Sequence, residues 1–347
     1  MIVQRTLKKL ASHNETYTFL VILLMAALIE LRSGQFFTPN NLVDLASALV
    51  VPGLFAIGAF MVIVSGGIDV SFPALAALSS YAATSLLWER GYQGGMLAPT
   101  LLALLFGALL GAVNGFLIAR LNLPTLIVTL GTSSVFKGIM QGALNSQQLA
   151  VIPPGMERFG KSALFIAQNP VSGLTSRMPT GMLFLLGVLA LAWFILRRLM
   201  MGRGLFAIGG NEVSAHRAGF PVRLIKFLLY VLVGMIASLA GLVRVCMMTQ
   251  CHPTNMLGME MMIIAGVVLG GAAITGGKGT LLGCMLGTML IVIVSNSLIL
   301  LGVPTVWQGF FLGVLIIVGT GVSAFQVTRM GGRAGGRKWK AKEAENA

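Results

Sequence analysis

Apolar residues in this chain run in long continuous blocks rather than alternating with polar ones. Ten such blocks stand at residues 17–31, 42–65, 72–87, 96–119, 123–140, 179–196, 224–245, 259–274, 280–301 and 306–324, divided by short polar connectors. A helix that crosses a bilayer takes about 20 apolar residues, so the pattern predicts about ten transmembrane helices. The block at 259–274 is short and interrupted by glycine, and that at 42–65 holds Pro52 and Gly53; both are expected to kink or break where they line a cavity. The first block follows Arg5, Lys8 and Lys9, and no small-x-small cleavage site comes after Leu31, which reads as an uncleaved anchor. Ahead of it, Ile2, Val3, Leu7 and Leu10 share a face, fitting either a surface helix or an unstructured start.

Composition narrows the class. Of 347 residues, 56% are hydrophobic and only 10% charged, with a mean hydropathy of +0.90, whereas soluble domains carry about 25% charged residues. A water-soluble fold is excluded. The 44 glycines follow no three-residue period, so they serve close helix packing rather than a collagen-like or low-complexity chain.

Net charge is +14, yet the basic residues are scattered between apolar blocks without interleaved aromatics, which argues against nucleic acid as a partner. Their distribution is instead a topology signal. With ten spans both termini share a side, and 17 of the 24 Lys and Arg residues fall there, so the positive-inside rule makes both termini cytoplasmic. The chain then divides into a cytoplasmic start at 1–16, a transmembrane domain at 17–325 with a charged cytoplasmic loop at 197–223, and a basic tail at 326–347. The expected fold is an all-α polytopic membrane protein.

Catalytic and nucleotide motifs fall short. GRGLFA at 202–207 fits G-x-G-x-x-A but follows a membrane helix and has no acidic residue about 20 positions on. AAITGGKGT at 272–280 echoes a phosphate loop, but Ala272 replaces the first glycine and Gly279 replaces the Ser or Thr after Lys278. His13, His216 and His252 are far apart, and Cys246, Cys251 and His252 lack a fourth metal ligand. Cys246 and Cys251 read as buried apolar residues, and whether they pair with each other is open. A Gly-x-Ser-x-Gly elbow and paired carboxylates are both missing, so this chain is read as a transporter rather than an enzyme.

Two ladders of glycines at four-residue spacing, Gly107, Gly111 and Gly115, and Gly279, Gly283 and Gly287, let helix backbones approach closely, within this chain or across a dimer. Polar groups inside apolar blocks are few. Ser65 and Asp69 lie in a break between two blocks, where Asp69 can cap the next helix or line a path; Glu260 opens the eighth block and suits a helix dipole; Asn114 and Asn296 either bond between helices or mark a polar pathway.

In the cytoplasmic loop, Asn211 is placed to cap a short helix that Gly219 ends, after Gly210 and with Glu212 in its first turn. Ser214 and Ala215 give that helix a flat face suited to a partner.

These segments resemble the integral-membrane permeases of ribose-type sugar ABC importers, in a broader group that includes branched-chain amino-acid permeases. The resemblance spans nearly the whole chain. Its carriers are FFTPNNL at 36–42, VIVSGGIDVS at 62–71, GGNE at 209–212, and VVLGG at 267–271 followed by GGKG at 276–279. It implies a permease that pairs with a second copy or a paralogue in the bacterial inner membrane. Two ATPase subunits, which bind ATP and Mg, would dock at the cytoplasmic face, and a periplasmic solute-binding protein would deliver the solute. This subunit would carry no cofactor of its own, and Gly210, Asn211, Glu212, Ser214, Ala215 and Gly219 look like the element that couples to the ATPase. The sequence departs from the pattern at Phe72 and Pro73, Met262 and Phe220, and Met262 bears most on solute identity. An amino-acid or nucleoside cargo and an ion-coupled secondary transporter are the alternatives.

Overall fold

A computed structural model describes residues 14–144, 147–169, 173–314, 317 and 321. The start of the chain and the basic tail fall outside the described residues, as does much of the block at 306–324. In chain order the helices are α1 (Asn14–Ser33), α2 (Pro39–Val64), α3 (Phe72–Glu89), α4 (Leu97–Gly115), α5 (Thr125–Gly142), α6 (Pro154–Lys161), α7 (Met182–Arg198), α8 (Met200–Gly210), α9 (Glu212–Arg217), α10 (Val222–Met248), α11 (Met259–Leu269) and α12 (Leu281–Leu300). A π-helical turn, Phe116–Arg120, extends α4.

Each apolar block has a helix at its core, the tenth over its described residues 308–314, but helix length and span count are not the same. Among the described residues, five helices are long and apolar enough to cross a membrane, α1, α2, α4, α10 and α12; α7 with α8, bent by 73°, brings the number to six. The described residues thus support five or six of the ten expected spans by length and composition. α11 is the short, glycine-ended helix its sequence predicted, stopping at Gly270 after 11 residues. α2, by contrast, runs unbroken through Pro52 for 26 residues, because an interior proline removes one hydrogen bond and the packed neighbours hold the rest.

The all-α expectation needs one correction. Ala163–Gln168 (β1) and Thr175–Pro179 (β2) form an antiparallel hairpin, with Phe165 opposite Met178, Gln168 opposite Thr175 and an irregularity between Ala163 and Phe165. The hairpin lies in the polar excursion between apolar blocks, where short strands satisfy each other's backbone groups without a helix.

α10 is the central element, packed against α4, α3, α2 and α6. Its neighbours α2 and α3 are likewise buried along most of their length. Peripheral helices show one-sided exposure: Leu97, Leu101, Leu105 and Leu109 recur every four residues on the open face of α4, while Gly107 and Gly111 occupy its buried face. A stripe of leucine at that spacing is what a lipid-facing helix presents.

The glycine ladders serve contacts within the chain. A Cβ at Gly111 would lie 3.2 Å from Gly234 Cα on α10, and one at Gly115 2.9 Å from the Phe227 carbonyl oxygen. Gly283 and Gly287 of α12 press in the same way on Gly270 and Gly266. Small residues are needed there because apolar transfer drives little helix association in lipid, leaving van der Waals contact to do so.

Candidate functional site

Three glycine-rich segments far apart in sequence meet at one end of the bundle. α2 ends at Ser65-Gly66-Gly67, α8 ends at Gly209-Gly210, and the loop after α11 contains Gly276-Gly277. The Gly277 amide donates to the Val64 carbonyl at 2.8 Å, closing the first segment on the third. A Cβ at Gly276 would lie 2.7 Å from Gly66 Cα and 2.8 Å from Gly209 Cα, and one at Gly277 would lie 2.8 Å from Gly210 Cα. No side chain fits between them. Gly276 also has φ of +86°, a left-handed conformation that disfavours other residues. We refer to this contact of three backbones as the glycine junction.

Directly after the junction stands α9. The Asn211 side chain accepts from the Ser214 amide at 2.8 Å, as its sequence position predicted. Gly219, with φ of +87°, closes the helix: its amide donates to the His216 carbonyl at 3.0 Å, and the Phe220 amide reaches back to Ala215 at 3.2 Å. Glu212 Oε1 accepts from Lys226 Nζ at 2.7 Å, tying α9 to the first turns of α10. Gly210 is exposed beside them.

The expected flat Ser214–Ala215 face does not form. Ala215 turns into the core, and the outward surface is made by Val213, Ser214, His216 and Arg217. A six-residue helix lying on a bundle must bury one side, and its only apolar residues are Val213 and Ala215.

Two cavities flank α9. One of 730 Å³ is lined by Asn122, Glu212, Val213, His216 and residues 221–224. The other, of 370 Å³, runs from Glu212 and Lys226 past Asn122 and Thr125 to Ser65, Gly66, Gly67 and Tyr230. The second joins the helix to the break between α2 and α3.

That break carries the buried polar network. Asp69 Oδ1 accepts from the Ser71 amide and the Ser71 hydroxyl, both at 2.7 Å, and Ser71 Oγ accepts from Asn114 Nδ2 at 2.8 Å. Asp69 thus holds the turn that leads into α3, two residues before the N-cap Ser71 and three before Phe72, where the helix begins. Thr129 holds the extended segment from the other side, through the Val70 amide and the Ile68 carbonyl, each at 3.3 Å. Asn114 keeps Oδ1 buried without a partner.

The remaining sequence candidates fall elsewhere. Ser65 bonds back to the Val62 carbonyl at 2.7 Å and lines the smaller cavity. Asn296 is exposed on α12 and donates to its own helix at Val292, 2.9 Å away, so it is outside the Asp69 network. Glu260 accepts from the Gly258 amide at 2.9 Å at the start of α11, the opposite end of that helix from the junction. GRGLFA at 202–207 lies within α8, where Gly202 and Gly204 pack against α7 and Ile225. Cys246, Cys251 and Cys284 are free and buried, and burial pushes the Cys251 thiol up to about 12. It stays a protonated, unreactive thiol at neutral pH.

Sequence reading missed Arg244, which it placed at the tail of an apolar block. In the structure α10 runs four residues beyond it. The signal was available: a basic residue inside a predicted span is costly enough to ask for a reason.

The chain matches the family described as branched-chain amino acid transport system / permease component over residues 41–319. It is 32% identical over 305 residues to the ribose import permease protein of Escherichia coli strain K12, covering 88% of this chain and 92% of that protein. It is also 32% identical to the D-allose transport system permease protein of the same strain, covering 86% and 88%. The autoinducer 2 import system permease protein of Yersinia pseudotuberculosis is 30% identical, over 90% and 85%. No solved structure matches. Since the match takes in α2 through α12, with the glycine junction, the capped α9 and the Asp69 network inside it, the chain belongs to this family of transport-system permease components.

Proposed function

We propose that this chain is the membrane permease subunit of an ATP-driven importer and passes a small sugar-like solute across the inner membrane. The ribose and D-allose permeases among its relatives support the cargo. The convergence of the glycine junction on α9 supports the mechanism. α9 is the element on which an ATPase subunit docks, with Val213, Ser214 and Arg217 as its outward surface. ATP and Mg belong to that subunit, and a periplasmic binding protein presents the solute at the other face. A second permease, identical or paralogous, completes the channel, and both termini lie in the cytoplasm.

Movement of α9 reaches the membrane interior through backbone. Glu212 and Lys226 link it to α10, and the junction links α8 to the end of α2 and the loop before α12. Contacts without side chains cannot absorb a displacement by changing rotamer, so a push on α9 is delivered to the Asp69 break as a shift of whole segments. That switches the bundle between outward-open and inward-open states.

The test is reconstitution with the candidate ATPase and binding protein, reading solute-stimulated ATP hydrolysis and uptake. Ser214→Trp places bulk on the outward side of α9 and is expected to lower coupled uptake by about tenfold or more, with unchanged amounts of the chain in the membrane. Normal uptake with Ser214→Trp would overturn the docking assignment. Uptake by this chain alone, driven by an ion gradient, would overturn the importer reading.

A further inference from the structure

Arg244 is the one position from Ile236 to Cys246 that is not buried. Leu242, Val243, Val245 and Cys246 around it are each at most 4% exposed. α10 is the central helix of the bundle, and Arg244 is partly exposed near its C-terminal end. It is the one charged side chain in the second half of α10. Nη2 donates to Asn255 Oδ1 at 3.2 Å, from the loop between α10 and α11, while Nε is buried and has no partner. Among the described residues the ion pairs are Lys161 with Glu157 and Lys226 with Glu212; none involves Arg244. Glu260, the carboxylate at the start of α11, is engaged by the Gly258 amide.

Two ordinary roles fit poorly. A cation near a helix C-terminus is favoured by the dipole, but that needs only charge and not a guanidinium with a buried, unbonded donor. An arginine that snorkels brings its whole head to water, which would hydrate Nε. What remains is a planar set of donors on a partly exposed side chain, held by the Asn255 amide at Nη2 and able to meet an oxygen-bearing guest through its terminal nitrogens. The neighbouring loop adds amides and a hydroxyl: Gln148 Nε2 donates to Gln250 Oε1 at 2.7 Å, and Thr254 Oγ1 lies 3.1 Å from His252 Nδ1.

We propose that Arg244, positioned by Asn255, is a recognition residue for the solute at the end of the bundle opposite the glycine junction, donating to adjacent hydroxyl oxygens of a neutral sugar. This rests on the importer reading above and adds to it a contact residue and a solute chemistry. The guanidinium's one open edge and fixed plane favour one stereochemical arrangement of the two oxygens over its epimer. Recognition is therefore by orientation as much as by affinity.

The complete importer in proteoliposomes, with labelled D-ribose, D-allose and L-arabinose as probes, separates the outcomes. Arg244→Gln is expected to raise KM for the preferred sugar by roughly tenfold or more and to flatten the preference among the three. Arg244→Lys keeps the charge but loses the plane, so selectivity should fall while KM rises less. Asn255→Ala should reproduce the selectivity loss in a milder form. Variants that are monodisperse in detergent and lower only kcat, with KM and preference as in the unaltered importer, would assign Arg244 to structure and overturn the proposal. An unaltered importer that takes up none of the three sugars would sink the cargo reading, and this inference with it.

Discussion

The two ends of this bundle are built by opposite means. At one end, Gly66, Gly209, Gly276 and Gly277 bring three backbones together with no side chain between them. At the other end, Arg244 near the close of α10 has a single amide partner and an unbonded donor. Backbone contact is stiff and without chemical preference, which suits passing on a displacement. Partly satisfied side chains are selective and adjustable, which suits inspecting a guest. Transport needs both, and the fold separates them along α10.

The largest effect should come from filling the junction. A Cβ at Gly209 would lie 2.5 Å from the Gly277 amide nitrogen and meets the Val64 carbonyl as well, so Gly209→Val must separate α8 from α2. Overpacking of this kind costs about 1–3 kcal/mol and occasionally more. We expect loss of uptake together with a lower unfolding temperature in detergent; an intact importer carrying Gly209→Val would show that the junction transmits nothing. Changes at Arg244, at the opposite end, should leave that temperature closer to the unaltered value and alter KM instead.

Next in size is the network at the α2–α3 break. Ser71→Ala removes one acceptor of Asn114 and one donor to Asp69 at a stroke, and leaving a buried polar group unpaired costs about 1–3 kcal/mol. Thermal unfolding should drop by several degrees. If Ser71→Ala is neutral, water takes the place of the hydroxyl and the network is softer than the junction beneath it.

The smallest effect should follow Lys226→Gln. Glu212 is half exposed, and pairs of this kind contribute about 1 kcal/mol or less. Stability should barely change, while solute-stimulated ATP hydrolysis should lose some of its sensitivity to ionic strength. A large stability loss would mean that the pair holds α9 in place and is more than a tether.

Much of the glycine-junction end was legible in the sequence. Asn211 as a cap and Gly219 as a terminator follow from local backbone chemistry, which acts over a few residues and is written in consecutive positions. The short α11 was visible for the same reason. Ala215 was misread because burial of a six-residue helix depends on how it lies on its neighbours, here α8 and α10, which its own residues do not mark. Arg244 was passed over because hydropathy put it at the tail of an apolar block, whereas the helix that carries it runs on to Met248.

The sequence by itself determined that this chain is a multi-helix membrane protein, which segments are apolar, and where its short capped helix begins and ends, because hydropathy and capping are sums over neighbouring residues. Only the tertiary structure decided that SGG, GG and GGKG segments some 140 and 70 residues apart share one contact, that both glycine ladders are spent within the chain, and that a lone arginine is partly exposed among buried neighbours. Those are relations between distant parts of the backbone, and a glycine carries no local mark of which other backbone it will meet.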